Sequence, residues 1–132
     1  MIEVEGGCHC GTVRFTATMP EPPVPALDCN CSICRMTGFL HIMVLHEAFE
    51  LVSGREALSA YRFGTGAAEH LFCRTCGVKS FARVGMPGGQ FIAIMVSCLD
   101  NVADTDLAQL PIVFIDGRND DFQSSPAETR HL

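Results

Sequence analysis

The sequence predicts a mainly β single domain of short antiparallel strands in small curved sheets. Three observations carry that prediction. Apolar and polar residues alternate over short stretches, as in Val13-Arg14-Phe15-Thr16-Ala17, with the period of two that a half-buried strand requires. Gly and Pro punctuate the chain between these stretches, and helix signals are weak. At 132 residues the chain can bury a core as one domain, and residues 1–132 show neither an internal repeat nor a linker.

Taken in order, Val13 to Ala17 reads as the first strand. Residues 20–26 form a Pro-rich connector, with four prolines between Pro20 and Pro25, stiff and unable to pair as a central strand. Phe39 to Leu45 is apolar enough for a buried strand, and Ala48 to Val52 continues the β pattern up to a turn at Ser53-Gly54. Leu58 to Phe63 is a further candidate. Val78 to Val84 and Gln90 to Cys98 read as a hairpin around Met86-Pro87-Gly88-Gly89. Ile112 to Ile115 is a last short strand, and residues 124–132 are expected to form a loose tail. One helical turn each is expected at Ala103 to Leu107 and after Cys31.

Composition narrows the partners. Fifteen acidic residues against nine basic ones give a formal charge of −6. No run of Lys or Arg interrupts the acidity, so neither nucleic acid nor an anionic membrane is an expected partner. The longest strongly apolar stretch, around Ile92 to Val96, has the length of a buried strand and not of a membrane span. The N-terminus lacks a basic region followed by an apolar one, so no signal peptide is expected and the cytoplasm is the expected location.

Eight cysteines decide the chemistry: Cys8, Cys10, Cys29, Cys31, Cys34, Cys73, Cys76 and Cys98. An even count permits disulfides, but a reducing cytosol opposes them and the close spacings suit chelation. Iron–sulfur ligation is a lesser alternative to zinc. In Phe72-Cys73-Arg74-Thr75-Cys76-Gly77, two intervening residues allow a turn that aims both sulfurs at one ion, with Gly77 free to take positive φ. A redox pair would open a helix, whereas strand character follows here. Gly7-Cys8-His9-Cys10-Gly11 is the natural source of two more ligands. If extended, it would point Cys8 and Cys10 one way and His9 the other. Cys8, Cys10, Cys73 and Cys76 thus read as a closed structural zinc site that staples the sheet across a long loop.

Cys29-Asn30-Cys31-Ser32-Ile33-Cys34 is a different motif, three thiolates within six residues. Three protein ligands and a vacant position mark a catalytic zinc. The alternative is an inert site completed by His41, His46 or Cys98. Both histidines lie in apolar, strand-like stretches that favour a packing role, and Cys98 is most simply a small buried hydrophobe. Two zincs would make the chain more negative, by about −2 at the four-thiolate site and about −1 at the three-thiolate site.

These three motifs, in this order, resemble those of the glutathione-dependent formaldehyde-activating enzyme family, also called centromere protein V-like. Its pattern stands here as Gly7-Cys8-His9-Cys10-Gly11, Cys29-Asn30-Cys31-Ser32-Ile33-Cys34-Arg35 and Phe72-Cys73-Arg74-Thr75-Cys76-Gly77. Phe49-Glu50-Leu51-Val52-Ser53-Gly54, Tyr61 and Ser97-Cys98-Leu99-Asp100 look like further landmarks, so that the resemblance covers roughly residues 6 to 122. It differs from many members in having Asn30 in place of His and no tryptophan.

The resemblance implies an Mss4-like β fold, a structural zinc on Cys8, Cys10, Cys73 and Cys76, and a catalytic zinc on Cys29, Cys31 and Cys34. It also implies a carbon–sulfur lyase resembling S-(hydroxymethyl)glutathione synthase, joining glutathione or a similar thiol to formaldehyde or another small aldehyde. Zinc would either acidify the thiol or polarise the carbonyl. Arg35, directly after the ligand loop, is the best-placed group for the carboxylates of glutathione. A non-catalytic, zinc-stabilised protein-binding module is the alternative function.

Overall fold

The computed structural model describes residues 1–21 and 24–132. In chain order, the strands β1 (Ile2–Gly7), β2 (Arg14–Met19) and β3 (Ala26–Cys29) precede helix α1 (Ser32–Thr37). Strands β4 (His41–Leu45), β5 (Phe49–Ser53), β6 (Leu58–Tyr61), β7 (Ala68–Cys73), β8 (Phe81–Met86) and β9 (Gly89–Met95) follow. Helix α2 (Asp104–Leu107) and strand β10 (Ile112–Ile115) complete the set. The expected mainly β class is what the chain adopts. Both helical turns lie where the sequence placed them.

The strands form two sheets. One has three strands in the order β1-β2-β5, and the other seven in the order β10-β3-β4-β9-β8-β7-β6. Pairing is antiparallel except between β3 and β10, which run parallel. The Pro-rich connector separates the sheets: β2 ends at Met19, and Ala26 is already the first residue of β3. Its middle residues, Pro22 and Pro23, lie outside the described residues.

Alternation in β2 does what the pattern foretold. Phe15, Ala17 and Met19 face inward, while Arg14, Thr16 and Thr18 stay half-exposed. From the larger sheet, Ile42, Phe81, Ile92 and Ile94 meet them in one core. Three rings join the sheets. Phe49 lies 5.2 Å from Phe15 and 4.7 Å from Phe81, centroid to centroid. Such pairs contribute about 0.5–1.5 kcal/mol each beyond their burial. Here they link β2 and β5 of the small sheet to β8 of the large one.

The β8–β9 hairpin turns through Pro87 and Gly88, with Met86 opposite Gly89. Its first strand starts later than the sequence suggested. Val78 to Ser80 lie outside the ladder, because Val78 closes the preceding turn by accepting from Cys73 N at 3.1 Å. The segment expected as a tail begins with two attachments: Asp116 N donates to Ser124 O, and Ser125 Oγ to Phe114 O. Among the described residues, no helix is long and apolar enough to cross a membrane.

Candidate metal centres

The first cluster is assembled from two tight turns. In one, Gly77 N donates to Cys73 O at 2.8 Å and Thr75 N to Cys73 Sγ at 3.4 Å. In the other, Gly11 N donates to Cys8 O at 3.2 Å and Val13 N to Cys8 Sγ at 3.3 Å. Gly77 and Gly11 both hold positive φ, 79° and 82°, which side chains other than Gly adopt only at a cost. This corrects one expectation. Cys8 and Cys10 converge through a turn after β1, not along an extended strand, because Gly11 lets the chain reverse.

The four sulfurs fit a tetrahedral metal. Cys10 Sγ lies 3.6 Å from Cys8 Sγ and 3.7 Å from Cys73 Sγ. A tetrahedral zinc with Zn–S bonds of about 2.3 Å places its sulfurs about 3.8 Å apart, whereas a disulfide needs about 2.05 Å. All eight cysteines are free thiols. N–H groups from Val78 and Cys10 aim at Cys76 and hold its thiol down to about 6, so a thiolate forms there readily.

The second cluster is built from contiguous chain. Cys29 ends β3, Cys31 is the cap residue of α1, and Cys34 lies within that helix. Their sulfurs all lie within 4.8 Å of one another. Hydrogen bonds with Cys29 and then Cys34 push Cys31 well below the thiol range, while those with Cys29 and then Cys31 push Cys34 far above it. Three thiols so close share their protons, and a divalent cation is what would release all three.

Among the described residues, no fourth His, Cys, Asp or Glu joins this set. The suggested fillers are elsewhere. Cys98 is buried near Cys8 and Cys76, where burial raises its thiol to about 11. Buried His41 is a packing residue, its Nδ1 2.9 Å from Phe39 O and its ring stacked 5.0 Å from that of Phe39. His46 is exposed. Arg35 also stands exposed, in the last turn of α1.

Sequence reasoning missed several residues around the second cluster. Phe39 is buried and packs with Cys34. Lys79 Nζ sits 4.0 Å from the centroid of the Phe39 ring and 3.0 Å from His70 Nδ1. Burial lowers the Lys79 ammonium, while Cys34 and Cys31 pull it back up. His70 is buried at 5% exposure, and its Nε2 has no partner among the described residues. Burial, and then Lys79, drive the imidazole down to about 4, so it is neutral at pH 7. The one available signal was that Lys79 is the sole lysine of the sequence, three residues beyond Cys76.

Two sheets carrying a four-sulfur and a three-sulfur cluster define a cysteine-rich β protein with two places that could hold a metal. The description "Glutathione-dependent formaldehyde-activating enzyme" matches residues 3–114. A Halomonas elongata protein, provisionally given the same name, is 41% identical over 81 residues, spanning 55% of this chain and 51% of that protein. The chain therefore spans about half the length of that curated relative. A crystal structure of a Rhodobacter sphaeroides protein superposes with a TM-score of 0.70 at 32% identity, covering 83% of this chain and 99% of that one. The chain belongs to the glutathione-dependent formaldehyde-activating enzyme family.

Proposed function

We propose that this protein is a zinc-dependent carbon–sulfur lyase-type enzyme that joins glutathione, or a similar thiol, to formaldehyde or another small aldehyde. The observation that carries this reading is the three-sulfur cluster with no fourth protein ligand among the described residues. Cys8, Cys10, Cys73 and Cys76 would hold a structural zinc, and Cys29, Cys31 and Cys34 a catalytic one. Family membership supports the substrates. Eight free thiols suit a reducing compartment, and we read the protein as cytoplasmic.

Cys29, Cys31 and Cys34 would hold the zinc, which when bound would supply Lewis acidity able to acidify a thiol near neutral pH. The reaction forms one S–C bond, opens the C=O π bond, and carries the thiol proton to the new hydroxyl oxygen. The chain's own residues position and shield. Phe39 walls the cluster beside Cys34 and keeps water from one side of it. Asn30, between two of the ligands, fixes the loop: its Nδ2 donates to Asp116 Oδ1 and its Oδ1 accepts from Arg118 N, both at 2.9 Å. Arg35, exposed next to Cys34, is offered as a carboxylate contact.

Cobalt substitution tests this reading, because thiolate-to-metal charge transfer reports each sulfur bound. Glutathione should change the spectrum of the wild type but not of Cys31→Ala or Cys34→Ala, and formaldehyde should then reverse the change. An unchanged spectrum, with adduct formation no faster than the spontaneous reaction, would instead favour the protein-binding module.

A further inference from the structure

Lys79 is an odd cation in this molecule. The chain carries a formal charge of −6 and a single lysine, and that lysine is half-buried beside the three-cysteine cluster. Arg14, Arg62, Arg83 and Arg130 are each engaged by a carboxylate. Among the described residues, no carboxylate lies within ion-pair distance of Lys79. Burying an ammonium is costly, no carboxylate offsets that cost here, and the groups in direct contact with it are neutral: the face of Phe39 and the ring nitrogen of His70.

One of its three N–H donors goes to His70, which leaves two free for a ligand. His70 in turn is fixed between Lys79 and Phe63, whose ring stacks 5.9 Å away, and it keeps a buried Nε2 with no partner. Tyr61 stacks on the outer side of Phe63 at 5.9 Å, so that a half-exposed aromatic row leads from the surface towards Lys79. The thiols whose charge would act on Lys79 are Cys34 and then Cys31, and a zinc held by three thiolates would still carry a net charge of about −1. An anionic thiol entering such a site is repelled unless a cation waits beside it.

We propose that Lys79 is a specificity-determining residue: it selects thiols that carry carboxylates over neutral or cationic thiols of the same size. This rests on the thiol-binding reading above. His70 and Phe39 are its positioning residues, holding the ammonium beside the cluster.

The test uses the full chain loaded with cobalt, titrated with glutathione and with glutathione diethyl ester, which has the same sulfur and skeleton but no carboxylates. Charge-transfer absorption reads binding without turnover. In the wild type, glutathione should bind more tightly than the ester. In Lys79→Gln and Lys79→Met, glutathione affinity should fall about ten-fold while the ester changes by less than about two-fold. Lys79→Arg, which keeps the charge, should retain the wild-type order. An unchanged glutathione-to-ester ratio in the neutral variants overturns the role of Lys79 and leaves thiol binding standing. A neutral variant that folds but loses its second metal also overturns it, since Lys79 would then hold the ligands instead of choosing the thiol. If neither thiol perturbs the wild-type spectrum, the functional reading itself fails.

Discussion

Gly117 shows how a single residue can set the second cluster without contributing a ligand. A Cβ built on it would overlap Cys29 Sγ and come within 3.2 Å of Cys31 Cβ. Only a glycine lets the chain after β10 close over the ligand loop, and Asn30 then latches it through Asp116 and Arg118. Gly117→Ala should therefore displace Cys29 and release the second metal. Overpacking of this kind costs about 1–3 kcal/mol, so the fold should survive. Metal analysis is expected to find one zinc per chain in place of two, with the first cluster still resistant to chelator. No local pattern in Asp116-Gly117-Arg118 marks this role, because the segment's partner lies 88 residues away in the Asn30–Arg118 contact. The two cysteine clusters themselves were legible, since chelating spacings are local.

At the scale of elements, strand β7 carries the group with the clearest pH signature. The imidazole of His70 is held at about 4 by burial and by Lys79, against about 6.5 in an unfolded chain. Between these values the unfolded chain binds the proton more readily. Stability is thus fully present above about pH 6.5 and declines as pH falls towards 4, by on the order of 3 kcal/mol. Urea unfolding of the wild type and His70→Gln at pH 7 and pH 4.5 should show a steeper acid loss in the wild type; parallel losses would count against this origin. Acid release of metal acts on both proteins and cancels in the difference. Glu69 adds an acid-sensitive contact on the same strand. Burial raises its carboxyl, but hydrogen bonds from Arg83 and Arg62 outweigh that and hold it below the usual range. Among the elements, the β8–β9 hairpin was readable because its partners are neighbours in sequence. Strands β1, β3 and β7 were not: β1 ends in two glycines, β3 follows the prolines, and β7 (Ala68–Cys73) has no β-branched residue.

For the whole molecule, the two clusters have unequal structural weight. The first joins the turn between β1 and β2, in the small sheet, to the turn after β7, in the large one. A metal there closes a loop from Cys10 to Cys73 and ties the two layers of the core together. The second lies within one short segment and cross-links nothing distant. Cys76→Ala should accordingly give an insoluble or strongly destabilised chain, since structural zinc contributes roughly 10 kcal/mol or more in small zinc peptides. Cys31→Ala should fold and lose only the labile metal. Thermal melts of the two variants, with metal counts, check this division, and equal collapse of both would refute it.

The sequence by itself determined the β class, the cysteine inventory and its division into two clusters. Strand periodicity and chelating spacing are properties of a few consecutive residues, and the chain writes them down directly. Only the tertiary structure decided that β10 pairs in parallel with β3, that Cys98 and the histidines stay out of the second cluster, and that Lys79, His70 and Gly117 gather around it. Those placements depend on the register of strands far apart in the chain and on which side chains share one buried space. No local pattern encodes them, because the energy that selects them exists only once both sheets have packed.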